Sequence, residues 1–151
     1  MQEGVIRRNS FTQANLRALQ ILQNKVLRLL TGHSYDTHIK TLLKDSEMMS
    51  VNQMIAFSTI NTTFKIKKSG KPVYLVKHLG FDRNTPIQRP FRNPQQINID
   101  YTLNTSREGF VYSAAKLWSS LPISLKSELT DKSFKKDLKV WIHDNIPALP
   151  L

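Results

Sequence analysis

Apolar residues recur along most of this chain at three- and four-residue steps, the period of a helix with one covered face. Between residues 12 and 30, Leu19, Leu22, Val26, Leu29 and Leu30 form one apolar stripe, the side that such a helix ordinarily packs inward. Arg17, Gln20, Asn24 and Arg28 fall on the other side, Thr12 is the expected N-cap, and Gly32 sits where a left-handed C-cap belongs. A second helix is expected over 38–44, led in by Tyr35-Asp36-Thr37, with Ile39, Leu42 and Leu43 inward. Ser50 caps a third, in which Met54, Phe57, Ile60 and Phe64 share a buried face. Burial there has to outweigh the poor helix propensity of the run Thr59 to Thr63. Ser69-Gly70-Lys71-Pro72 stops that helix, and residues 72–79 read as a short helix with Pro72 in its first turn.

Periodicity then disappears. Residues 81–96 hold Pro86, Pro90 and Pro94, and read as a long loop. Ile97, Ile99, Tyr101 and Leu103 alternate with polar residues and predict a strand. Phe110-Val111-Tyr112 either pairs back on it as a hairpin or begins the next helix. Residues 113–121 are helical, with Ala114, Leu117 and Trp118 buried and Pro122 as the stop, and 124–129 give a helical turn. A last helix starts at Thr130 or Asp131 and ends near Asn145. Phe134, Leu138, Trp141 and Ile142 share one of its faces, and Lys132, Lys135, Lys136 and Lys139 the other. The expected fold is mainly α, a single compact domain of about five or six helices with one small β-hairpin at 96–112. A flexible arm (1–11) and a tail (147–151) flank the helical domain (12–146).

The 151 residues are 40% hydrophobic, enough for a core, and contain no cysteine, which removes disulfides and thiolate-bound zinc. The first residues have no signal-peptide core and no apolar run reaches membrane-spanning length, so an intracellular protein, nuclear or cytoplasmic, is expected. In that setting the sequons at Asn61 and Asn104 are chance matches. Charge changes the picture more. Twenty-two Lys and Arg against eleven Asp and Glu leave +11, a balance that points to a polyanion. The charge is also concentrated: between Ile60 and Ile99 eight bases face Asp82 alone, which places +7 of the +11 in that stretch.

Catalytic constellations are missing. No two acids adjoin, and neither a phosphate-binding glycine loop nor a GxSxG or HExxH motif occurs. Glu3, Asp45 and Glu47 read as solvated surface groups. His33, Asp36 and His38 resemble a metal cluster on paper, but Asp36 ahead of a helix is better read as its N-cap. No enzyme activity, cofactor or metal is therefore expected. Candidate phosphate contacts are Lys65, Lys67, Lys68 and Lys71, then Arg83, Arg89 and Arg92 with Phe81 and Phe91 nearby. Lys132, Lys135, Lys136 and Lys139 form a second patch. Trp118 and Trp141 read as core anchors.

Three phrases in order carry a family resemblance. Leu22-Gln-Asn-Lys-Val-Leu-Arg-Leu-Leu-Thr-Gly32 resembles the "LQNKAVRIITG" phrase downstream of the polymerase core in non-LTR, LINE-type (jockey-like) retrotransposon reverse transcriptases. Phe110-Val-Tyr-Ser-Ala-Ala-Lys-Leu-Trp-Ser-Ser-Leu-Pro122 is similar to the family's "Y-S-A-x-x-L-W-N-x-L-P", and Ser133-Phe-Lys-Lys-Asp-Leu-Lys139 to its closing "S-F-K-x-x-L-K". Pro72-Val-Tyr-Leu75 matches "P-x-Y-L" between them. Ser119-Ser120 departs from the usual asparagine, and the endonuclease and the polymerase aspartates are missing. The resemblance implies a non-catalytic reverse-transcriptase tail that helps to hold template RNA and target DNA, either as part of a longer polymerase or as a domesticated fragment. The function expected is binding of RNA or single-stranded DNA with little sequence preference. The alternative is a repurposed interaction module whose basic face docks an acidic protein partner. Membrane binding by the last helix is disfavoured, because its Phe134 and Trp141 are needed in the core.

Overall fold

Seven helices form the regular structure of the residues that the computed structural model describes: 13–79, 81, 109–127 and 130–146. They are α1 (Gln13–Thr31), α2 (Ile39–Asp45), α3 (Val51–Ser69), α4 (Val73–His78), α5 (Phe110–Ser120), α6 (Ile123–Lys126) and α7 (Asp131–Asn145). The helical class expected from the sequence is therefore observed. The expected β-hairpin is not supported. No strand occurs among the described residues, and Phe110–Tyr112, its return limb, is the first turn of α5. Apolar residues at helical spacing (Phe110, Ala114, Trp118) decided that choice, since α5 buries Ala114, Ala115 and Trp118. Its other limb, 96–103, lies outside the described residues, as do the arm 1–11, the cap Thr12, most of the proline-rich loop and the tail.

The chain divides into two compact units. One comprises residues 1–57 and 139–151, the other 58–138, so both boundaries fall inside helices, α3 and α7. No linker signal marks them, because neither boundary interrupts a helical pattern.

In the first unit, α1 ends at Gly32, whose φ of +68° is the left-handed cap expected there. Leu27 of α1 packs with Ile39 and Leu43 of α2 in a buried cluster, and Leu42 is also buried. The N-cap of α2 is His38, whose Nδ1 accepts from the Lys40 backbone N–H at 3.2 Å; Asp36, expected in that role, is exposed. Ser50 and Gln53 form a capping box at the start of α3. The Gln53 N–H donates to Ser50 Oγ (3.3 Å), and the Ser50 N–H to Gln53 Oε1 (3.0 Å). Gln53 Nε2 also donates to the Ile146 carbonyl, 2.8 Å away, just past the end of α7.

Helix α1 is the main departure from expectation. Its buried residues are Gln20, Asn24 and Leu27, whereas Leu19, Leu22, Val26, Leu29 and Leu30 are 40%, 57%, 52%, 84% and 77% exposed. Hydrogen bonds satisfy most of that polar burial, although Asn24 Nδ2 is buried without a partner. Gln20 Oε1 accepts from the Val51 N–H at 2.9 Å, one of the donors that the start of α3 leaves without a helical partner. Gln20 Nε2 donates to Gln23 Oε1 and to Asn24 Oδ1, each at 2.9 Å, and Gln23 Nε2 donates to the Met49 carbonyl at 2.8 Å.

In the second unit the core gathers Ile60, Phe64 and Ile66 of α3 with Leu79, Ala114, Ala115, Trp118, Leu121, Leu125, Phe134 and Leu138, all buried. Ile60 and Phe64 are buried beside the β-branched run as expected, whereas Met54 on the same face is exposed and Phe57 half-buried; buried Thr63 satisfies its hydroxyl by donating to the Thr59 carbonyl at 2.8 Å. Phe64 and Phe134 stack with ring centroids 3.9 Å apart and planes 10° from parallel, and this fixes α3 against α7. Phe81 meets Trp118 edge-on at 5.9 Å.

Candidate nucleic-acid interface

The stacked phenylalanines are each followed by a lysine, Lys65 on α3 and Lys135 on α7. Stacking of the rings therefore brings the two lysine-bearing surfaces together. Lys68 lies on the Lys65 side of α3, one turn on, and is ion-paired with Asp131 in the first turn of α7; its ammonium also lies 5.9 Å from the Phe64 ring centre. The Asp131 carboxyl is held below the ordinary carboxylate value, first by the hydrogen bond from Lys68 and then by the positive charge of Lys68, Lys135 and Lys65. Three lysines from two helices thus lie within electrostatic reach of one acid.

Lys67 goes elsewhere. It lies about 160° round the α3 axis from Lys65, and its Nζ donates to the Lys126 carbonyl at 3.1 Å while lying 5.2 Å from the centre of the Trp118 ring. Lys126 itself is buried, with Nζ donating to the Ser119 carbonyl at 3.2 Å, and no sequence signal marks it. Desolvation, and secondarily the charge of Lys67, lowers its pKa below 10.5. Lys71 is exposed beyond the end of α3. Lys132 and Lys136 are exposed on α7 within the same unit, and Lys139 is exposed where α7 has entered the other. Arg83, Arg89 and Arg92 lie outside the described residues.

The arrangement therefore regroups the sequence candidates. Lys65, Lys68 and Lys135 converge, Lys67 faces Trp118 and Lys126, and Asp131, which the sequence marks only as a start of the last helix, sits among the lysines. Ammonium groups held at a surface by short-range packing can neutralise successive phosphates, and the Lys68–Asp131 pair is exposed enough to exchange its carboxylate for one.

Both histidines of the His33, Asp36 and His38 set have other partners. His33 Nε2 is 2.9 Å from Asp45 Oδ2, and His38 caps α2. Among the described residues, no three His, Asp or Glu side chains are placed to hold a metal ion. No helix among them is long and apolar enough to cross a membrane. No protein-family model, no curated protein and no solved structure matches the chain.

Proposed function

We propose that this chain is a non-catalytic nucleic-acid-binding domain, similar to the C-terminal part of a non-LTR retrotransposon reverse transcriptase, that holds RNA or single-stranded DNA with little sequence preference. The observation that carries the reading is the convergence of Lys65, Lys68 and Lys135 on the exposed surface of α3 and α7, with Asp131 as the acid among them. Lys132 and Lys136 extend that surface along α7. Lysines supply point charges without the forked geometry that reads a base edge, so contacts go to phosphate and sequence preference is weak. The order of the three phrases shared with the retroelement family supports the same reading independently of charge.

Anisotropy titrations of labelled single-stranded RNA against salt test it. Five phosphate contacts on a single strand give a log–log slope of about −3.5, or roughly a hundredfold loss between ~50 and ~200 mM salt. Replacing Lys65, Lys68 and Lys135 by glutamine removes about 2 from that slope, because each contact contributes about 0.7. A salt-independent affinity, or a slope unchanged in the triple variant, overturns the assignment.

A further inference from the structure

Single exposed leucines are ordinary, but five large aliphatic side chains on one side of α1 form a contiguous patch of the kind that marks a docking surface. Met54 of α3 extends the patch: it is exposed, with Sδ 4.0 Å from Gln23 Nε2. The spacing narrows the occupant. Leu19, Leu22, Val26 and Leu29 stand at i, i+3, i+7 and i+10, the a and d positions of two successive heptads, and this is the seam by which one helix receives another. In that register Gln20, Asn24 and Leu27 take b, f and b positions, which point away from a partner helix. They are also the residues that α1 buries within its own unit. The helix can therefore keep its place in the fold and accept a second helix without repacking.

Charge selects the chemistry of that second helix. Along its whole length α1 has three bases and no acid. In the same register Lys25 takes a g position beside the seam, while Arg28 at c and Arg17 at f lie farther round the helix. The Arg28 guanidinium donates to the Thr37 carbonyl at 3.3 Å and lies 5.2 Å from the centre of the Tyr35 ring. We propose that the exposed face of α1 docks an amphipathic helix of a partner protein whose apolar seam is flanked by acidic residues. A second copy of this chain has the seam but brings the same three bases and a net charge of +11. A lipid surface is served best by bases on both flanks and aromatic side chains at the rim, and α1 has one lysine beside the seam and no aromatic residue. The lysine surface is built from other residues, Lys65, Lys68 and Lys135, so the two readings fail separately.

The test uses the whole chain and three labelled synthetic peptides. One has four heptads with Leu at a and d and Glu at e and g, one is its Lys-flanked counterpart, and one is a scramble of the acidic peptide. The acidic heptad peptide is expected to bind at least about tenfold tighter than the other two. The double variant Leu22→Gln, Val26→Gln changes exposed positions and no charge. It should keep the circular dichroism spectrum and weaken the acidic peptide about a hundredfold. Equal binding of the acidic and scrambled peptides, or equal binding by parent and variant, overturns the proposal. So does sedimentation of the chain alone as a dimer that the double variant dissociates, or binding to phosphatidylserine vesicles that the variant abolishes.

Discussion

Gln20→Leu places an aliphatic side chain of similar size at a fully buried position, a change that ordinarily improves a helix face. Here the structure gives the opposite sign. Gln20 Oε1 is the acceptor for the Val51 N–H, and Gln20 Nε2 is the donor to Asn24 Oδ1. Leucine can do neither, so the donor at the start of α3 and a buried amide oxygen both lose their partner, at about 1–3 kcal/mol each. Burying the leucine returns about 1.5–3 kcal/mol. The net expectation is a destabilisation of about 1–3 kcal/mol. Leu22→Gln supplies the contrast: Leu22 is 57% exposed, and a surface exchange of this kind falls within about 0.5 kcal/mol of neutral. Urea titration followed by circular dichroism resolves the pair, because 1–3 kcal/mol moves the midpoint by about 1 M. If Leu22→Gln lowers the midpoint more than Gln20→Leu does, the orientation of α1 described above is wrong.

Asp131→Asn frees Lys68 from its carboxylate, so single-stranded RNA should bind more tightly in the same anisotropy assay. The Asp131 pKa is depressed below 3.8, so its contribution to stability is present above that pH and is lost as pH falls through the folded-state value; the substitution should flatten this acid limb of a melting-temperature profile. Lys126 has the reverse linkage. With its folded pKa below 10.5, the unfolded chain binds more protons just under that pH, so stability should rise with pH through the window; Lys126→Met should remove the rise and increase the melting temperature at neutral pH. Phe134→Ala deletes a fully buried ring and its stacking partner's contact, at about 3–5 kcal/mol by urea titration, and should also weaken RNA binding by releasing α7 from α3.

Helix existence was legible wherever the apolar period was long and its ends were punctuated. Gly32 and Gly70, with φ of +68° and +67°, stop α1 and α3 where the sequence has only one residue type free of strain, and the Ser50–Gln53 capping box starts α3. The cap of α2 was misplaced because Asp36 has the commoner capping side chain, while the residue at the correct phase is His38, whose ring nitrogen serves as well. Exposed Met54 was expected to be buried, since a shared helical face does not reveal where the covering elements end. Within the candidate site, the lysine content was visible but the grouping was not. The near-consecutive Lys65, Lys67 and Lys68 point in different directions on α3, and their neighbours Lys135, Lys126 and Asp131 come from helices more than fifty residues away.

The orientation of α1 carries the larger lesson about amphipathic patterns. Periodicity gives the angle between an apolar and a polar face, but it does not say which of them meets the rest of the unit. That is decided by what the neighbouring chain offers, and here it offers the Val51 N–H and the Met49 carbonyl, groups that glutamine can satisfy and leucine cannot. Set against this are five aliphatic side chains still 40% to 84% exposed, each of which would gain that fraction of the about 1.5–3 kcal/mol for full burial, whereas each hydrogen bond on the polar side contributes about 0.5–1.5 kcal/mol net. For the chain alone, the exposed stripe is an uncollected driving force larger than the network that holds the opposite face. The balance closes once a second helix covers the seam, because α1 then buries its leucines without giving up the bonds of Gln20 and Gln23.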